Sequence, residues 1–229
     1  MIYFAHRGLS ALRVQNTTES FALAREKGAK CYELDIHLLK DGALAVHHDY
    51  SLASTTGVNV KLAELTMLDL KKYPLKNAFT PTTLTVPLLG DIVPLVLPEL
   101  ETLNIEIKNN DNVYPGIEKT LLCALKEWPE LASKVLFSSF DYGTLKRVRR
   151  LDKNARIGLL TRQFDISKAL ALGVESVHMN QTRLTKEIVC VCHQNNLKVY
   201  VYTVNTMQEK QNLQELGVDG IFTDRVDLW

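Results

Sequence analysis

The sequence predicts an α/β fold, a (β/α)8 TIM barrel, on three observations. Short β-rich runs alternate with amphipathic helical stretches along almost the whole chain, the order that a parallel sheet built from βα units requires. Eight such runs are countable, the number that closes a barrel. The length of 229 residues is one that α/β barrels reach without dividing into two cores, so residues 1–229 are read as a single domain.

The strands are expected at Ile2 to His6, Cys31 to His37, Leu103 to Lys108, Val135 to Phe140, Arg156 to Leu160, Ser176 to Met179, Val199 to Thr203 and Gly220 to Thr223. Between them stand helix signals. Asn16 with Glu19, and Thr206 with Glu209, have the form of capping boxes, in which a side chain and the backbone satisfy each other's exposed groups at a helix start. Asp141 is a third expected N-cap. Gly28, Gly173 and Gly217 lie where a last helical turn needs a left-handed residue. The joints Leu172-Gly173-Val174-Glu175-Ser176 and Leu216-Gly217-Val218-Asp219-Gly220 repeat one order of residue types, which fits a barrel and fits an open doubly wound sheet as well.

Residues 50–101 break the rhythm. A short helix with Thr66 as N-cap and Asp69 three residues later precedes a stretch carrying Pro74, Pro81, Pro87, Pro94 and Pro98. Pro94 falls inside what would otherwise read as a helix, so an irregular insertion with short helical pieces is expected. It follows the strand bearing Glu33 and Asp35 and should leave from the barrel's C-terminal mouth, where insertions shape substrate choice.

Composition removes several classes of function. The formal net charge is +1 and the hydrophobic content 46%; cationic residues are scattered, with Arg147, Arg149 and Arg150 the one tight cluster, so nucleic acid is not an expected partner. Cys31, Cys123, Cys190 and Cys192 show neither a CxxC pair nor zinc spacing and read as free thiols in a reducing compartment. The first strand occupies the place of a secretory leader, and no run approaches membrane-spanning length. A cytoplasmic protein without stable membrane insertion is the expectation.

The chemistry concentrates at strand ends. Side chains alternate along a strand, so Glu33 and Asp35 share a face, and Glu106 and Lys108 share another. Carboxylates brought close together repel unless something positive lies between them; a divalent cation resolves this, and an all-oxygen ligand set favours Mg²⁺ or Ca²⁺ over zinc. A single acidic strand residue is more often a solvated edge, but both pairs fall on the catalytic face of an eight-stranded barrel. Glu106 would complete the metal-binding trio, and Lys108 would reach an anionic substrate. His6 ends the first strand and His48 follows the apolar run Ala43 to Val46, which brings two imidazoles to the same mouth. There, one can take a proton from an attacking oxygen while the other gives one to the leaving group. Arg7 is suited to hold phosphoryl oxygens. His37 is in phase with Glu33 and Asp35 and is a weaker candidate for the site's edge; His47, His178 and His193 are left out. Ser139 lacks a nucleophile elbow.

These residues resemble the glycerophosphodiester phosphodiesterase family. The resemblance rests on His6-Arg7-Gly8, Asn16-Thr17 with Phe21, Glu33-Leu34-Asp35, Lys40-Asp41-Gly42, His48-Asp49 and Leu65-Thr66. It continues through Asn104-Ile105-Glu106-Ile107-Lys108, Ser138-Ser139-Phe140-Asp141, Tyr202-Thr203-Val204-Asn205 and Thr223-Asp224-Arg225. The motifs span the chain in family order. The resemblance implies a barrel enzyme that uses one divalent cation, Mg²⁺ or Ca²⁺, to release glycerol 3-phosphate and an alcohol from deacylated phospholipids. It makes Glu33, Asp35 and Glu106 metal ligands, His6 and His48 the acid–base pair, and Arg7 and Lys108 the phosphate-binding groups. It further implies attack by a free glycerol hydroxyl, through a cyclic phosphate that water opens. Three departures bear on substrate preference: Gln15 stands where relatives carry Glu, Pro87-Leu88-Leu89-Gly90-Asp91 replaces a Pro-Thr-Leu-Glu-Glu stretch, and Tyr202 replaces a tryptophan.

Two other readings stay open from sequence. The same barrel can serve a lysophospholipase D or a sphingomyelinase D-like enzyme, for which Leu88-Leu89 and the run from Ile92 to Leu97 would supply a greasier mouth. A catalytically silent, phosphate-binding barrel is the second. The headgroup alcohol and the oligomeric state are not fixed by the sequence.

Overall fold

The computed structural model describes all residues, Met1–Trp229. In chain order the strands are β1 (Ile2–His6), β2 (Cys31–Leu38), β3 (Leu44–Val46), β4 (Thr102–Ile107), β5 (Val135–Ser139), β6 (Arg156–Thr161), β7 (Ser176–Asn180), β8 (Lys198–Tyr202) and β9 (Gly220–Thr223). All but β3 run parallel around a ring that closes where β1 pairs with both β2 and β9. The eight expected strands agree with the ring to within one residue at each end. β3 is additional: it lies antiparallel on the upper end of β2, with Val46 opposite Ile36 and Leu44 opposite Leu38. Three residues are too few for alternation to be read in sequence.

The outward faces of the strands and the inner faces of the surrounding helices form the main core, which includes Tyr32, Leu34, Leu103 and Ile105. Inside the barrel, Phe4, Cys31, Leu136, Tyr200 and Phe222 make a second cluster. Phe4 and Cys31 sit two residues below His6 and Glu33 on the same faces, so this cluster floors the cavity above it. A third cluster, with Leu39, Ala45, Leu52, Leu62, Leu65 and Leu70 among its members, lies under the insertion.

The helices are α1 (Thr18–Glu26), α2 (Ala53–Thr56), α3 (Met67–Leu70), α4 (Leu89–Val96), α5 (Ile117–Ala124), α6 (Tyr142–Leu151), α7 (Ile166–Leu172), α8 (Lys186–Gln194) and α9 (Met207–Glu215). Thr66, Asp141 and Thr206 cap α3, α6 and α9 as expected, and Gly28, Gly173 and Gly217 have positive φ.

One expectation is corrected. The N-cap of α1 is Thr17, paired with Ser20, not Asn16 with Glu19; Asn16 has φ +56, away from the extended backbone that a side-chain N-cap typically has. The insertion carries the short helical pieces α2, α3 and α4, and Pro94 lies inside the last. Leu89, Ile92, Val93 and Val96 are buried on one face at helical spacing and pack the helix on α1; that burial outweighs the one hydrogen bond which Pro94 cannot donate. No helix is long and apolar enough to cross a membrane.

Candidate active site

β1 delivers His6 to the rim, and the chain then turns through Arg7 (φ +58) and Gly8 (φ +83). A Cβ on Gly8 would sit 2.4 Å from Ser20 Oγ, so only glycine lets α1 begin this close. The turn is tied down: Arg7 N donates to the Glu33 carbonyl at 3.0 Å and to Glu33 Oε2 at 3.0 Å, and Ser20 Oγ donates to the Arg7 carbonyl at 2.9 Å.

Strand register then assembles the acids. His6 is level with Glu33, and Asp35 with Glu106. Carboxylate oxygens of Glu33, Asp35 and Glu106 all lie within 4.8 Å of one another, and all three residues are buried. Lys108 Nζ is 2.7 Å from Glu106 Oε1 and 3.0 Å from Asp35 Oδ1. Arg7 Nε is 3.3 Å from Asp35 Oδ2, and Asn16 Nδ2 donates to the same oxygen at 2.9 Å, the use to which the left-handed backbone of Asn16 is put.

The electrostatics divide this trio. Burial disfavours the Asp35 carboxylate, but Lys108 and Arg7 more than offset it and hold the group well below the usual carboxylate range. Burial, reinforced by Asp35, pushes Glu33 well above that range. Burial also raises Glu106, against the pull of Lys108. Two cations thus leave three buried carboxylates undercompensated. Asp35 Oδ1 is paired with the Lys108 ammonium at 3.0 Å. A converging set of hard carboxylate oxygens is compatible with a divalent metal.

Each candidate imidazole is held through Nδ1. His6 Nδ1 is 2.7 Å from Asp224 Oδ1, and Asp224 accepts from Ser10 Oγ and from Asn205 Nδ2. His48 Nδ1 is 2.7 Å from Asp49 Oδ1, and Asp49 accepts from Ser54 Oγ. The opposite nitrogen of each ring is left for other work, and His6 Nε2 lies 4.0 Å from Glu33 Oε2. Burial lowers both imidazoles below the ordinary histidine value although their carboxylate partners oppose it. In turn, the His6 hydrogen bond overcomes burial and brings Asp224 down to about 2.

His6, Arg7, Glu33, His48, Glu106 and Lys108 line one cavity of about 490 Å³, with Asp35 in the cluster beneath. Only four of its seventeen lining residues are hydrophobic. His37 does not line it. Its Nε2 is 3.3 Å from the His48 carbonyl, which only accepts, so Nε2 carries the proton and Nδ1 accepts from the Tyr114 hydroxyl at 2.9 Å. His37 therefore props the backbone of His48 from behind. His47 points away, toward Thr55, and His193 meets Asp219 on the outside.

Sequence reasoning passed over His178, which lines the cavity on β7 with Nε2 on Ser176 Oγ at 2.8 Å. It also passed over the carboxylates behind the imidazoles and over Arg162 and Arg183, which line the cavity from the loops after β6 and β7. For His178 a signal existed, since it shares strand parity with Asn180, another lining residue. Gln15 accepts from Arg7 Nη1 at 2.6 Å.

The family model for the glycerophosphoryl diester phosphodiesterase family matches residues 6–228. A glycerophosphodiester phosphodiesterase of Bacillus altitudinis is 34% identical over 232 residues, covering 98% of this chain and 94% of the relative. A lysophospholipase D of Rattus norvegicus is 34% identical over 261 residues, covering 97% and 82%. Among solved structures, a glycerophosphodiester phosphodiesterase from Thermotoga maritima matches with a TM-score of 0.81 at 27% identity, covering 100% of this chain and 96% of that one. With barrel, motif order and relatives in agreement over essentially the whole length, the chain belongs to the glycerophosphoryl diester phosphodiesterase family.

Proposed function

We propose that this protein hydrolyses glycerophosphodiesters to glycerol 3-phosphate and an alcohol, acting as a single domain, 1–229. The observation that carries this is one polar cavity in which a guanidinium, an ammonium, three carboxylates and two carboxylate-held imidazoles converge. Arg7 and Lys108 bind the phosphoryl oxygens and neutralise charge that develops on them. His6 and His48 exchange protons with the attacking and departing oxygens through Nε2, with Nδ1 fixed by Asp224 and Asp49. Glu33, Asp35 and Glu106 hold one divalent cation, Mg²⁺ or Ca²⁺, which when bound lowers the pKa of a coordinated hydroxyl and screens the phosphate charge. A cytoplasmic location is supported by four cysteines that are all free.

A lysophospholipase D activity is the second reading, on the strength of the rat relative. It is disfavoured by the cavity, which is mostly polar, and by the residues expected to grease the mouth: Leu89, Ile92 and Val93 are buried in α4 against the core. The test is release of glycerol 3-phosphate from a soluble glycerophosphodiester and from its acylated counterpart, with EDTA and then with Mg²⁺ or Ca²⁺ restored. Metal-restored turnover of the soluble ester is expected; turnover of the acylated form alone would favour the second reading, and none at all would leave a silent barrel.

A further inference from the structure

Two arginines on the cavity wall have no part in the chemistry assigned above. Arg162 follows β6 and Arg183 follows β7, and both line the same cavity as the acids and imidazoles. In the closed ring, β6 and β7 are the strands farthest from β1 and β2 in either direction, so these guanidiniums face the catalytic cluster from across the mouth. Tyr202 lies between the two groups. Burial raises its phenol first, Glu106 adds to that from one side, and Arg162 and Arg183 oppose it from the other.

Neither guanidinium is within 4.0 Å of a carboxylate; both are missing from the ion pairs that engage Arg147, Arg156 and Arg225. Arg183 Nη1 donates to the Arg162 carbonyl at 2.9 Å, which ties the two loops together and leaves most of its donors free. No acidic residue lines that half of the cavity. Arg162 also lies over the ring of Phe140, 4.9 Å from its centroid. An aromatic face is what would attract a quaternary ammonium, and here that face already holds a cation.

We infer that this enzyme selects glycerophosphodiesters whose alcohol carries a second negative charge, a carboxylate or a further phosphate, which Arg162 and Arg183 bind while the scissile phosphate sits at Arg7 and Lys108. The glyceryl side of such a diester is uncharged, so the anion belongs to the alcohol. The inference rests on the proposed reaction and deepens it. It disfavours the cationic headgroups choline and ethanolamine, because two guanidiniums meet the headgroup and no acid balances them.

The experiment compares kcat/KM on glycerophosphoglycerol, on its carboxylate analogue glycerophosphoglycerate, on bis(glycerophospho)glycerol corrected for its two equivalent ends, and on glycerophosphocholine. One or both anionic substrates should exceed glycerophosphoglycerol by about tenfold, as charge-assisted bonds at a solvated site allow. Which of them does so distinguishes carboxylate from phosphate. The ratio should shrink as ionic strength rises and fall to near one in the double variant Arg162→Gln, Arg183→Gln. Being a ratio of two substrates on one enzyme, it is unaffected by a loss of folded material. A wild-type ratio near one, or preference for glycerophosphocholine, overturns the inference and leaves the reaction standing. No turnover of any of the four diesters overturns the reaction, and the inference with it.

Discussion

At the scale of single residues, the site depends on partners that arrive from far along the chain. Strand parity made Glu33, Asp35 and Glu106 legible, because one rule of alternation puts each on the inner face. It says nothing of Asp224, which is 218 positions from His6 and reaches it only because the ring closes. The donor role of Asn16 was equally hidden, since a positive φ has no pattern in sequence. If His6 and His48 move protons, replacing either by Ala lowers kcat on the order of 10²-fold or more, and a loss of a few-fold in both removes them from the mechanism. Asp35→Asn removes the one acid of the trio that its neighbours hold firmly ionised. It is expected to raise the metal concentration needed for half-maximal turnover by at least about tenfold, and an unchanged metal titration denies it the ligand role. Gly8→Ala sets a methyl against Ser20 in a left-handed backbone; a loss on the order of 3 kcal/mol in denaturant unfolding is expected.

At the scale of elements, the barrel's two ends do different work. The bottom is pinned by Glu175, just before β7, which accepts from Arg156 Nε at 2.7 Å and Nη2 at 2.9 Å and from Lys198 Nζ at 3.0 Å. One carboxylate thereby joins the starts of β6 and β8. The Arg156 hydrogen bond is the main reason that its pKa falls from 4.5 to about 2. A depressed carboxylate stabilises the fold above its unfolded pKa, and that stability is lost as pH falls through the folded value. Between about pH 4.5 and pH 2 the wild type should therefore lose ~1–2 kcal/mol through this group, allowing for its partial solvation. Glu175→Gln should show a correspondingly flatter curve in denaturant titrations across that range, and equal slopes would assign acid sensitivity elsewhere. The helices show where pattern misleads: Pro94 reads as a breaker, yet four buried apolar side chains at helical spacing keep α4 intact.

At the scale of the whole molecule, most of the architecture was legible because a closed parallel barrel repeats one unit, and each repeat announces itself by an apolar run, a cap and a glycine. What the repeats do not encode is the pairing across the ring. That is why the far wall of the cavity, with Arg162 and Arg183, emerges only once the ring is closed. The same closure separates the two imidazoles in a way that bears on heat. His6 ends β1, which is paired on both sides. His48 follows β3, a three-residue edge strand that pairs with β2 on one side and otherwise makes a single bridge, Ala45 to Leu88; Ala45 packs into the small core under the insertion, Leu44 and Val46 into the main core. Such an edge can fray while the ring stays folded. Two thermal thresholds are expected: on gradual warming, turnover should vanish reversibly several degrees below the calorimetric transition. The amides of Leu44–Val46 should exchange with deuterium well before those of β1. A coincident loss of turnover and heat absorption would mean that β3 and the barrel melt as one unit.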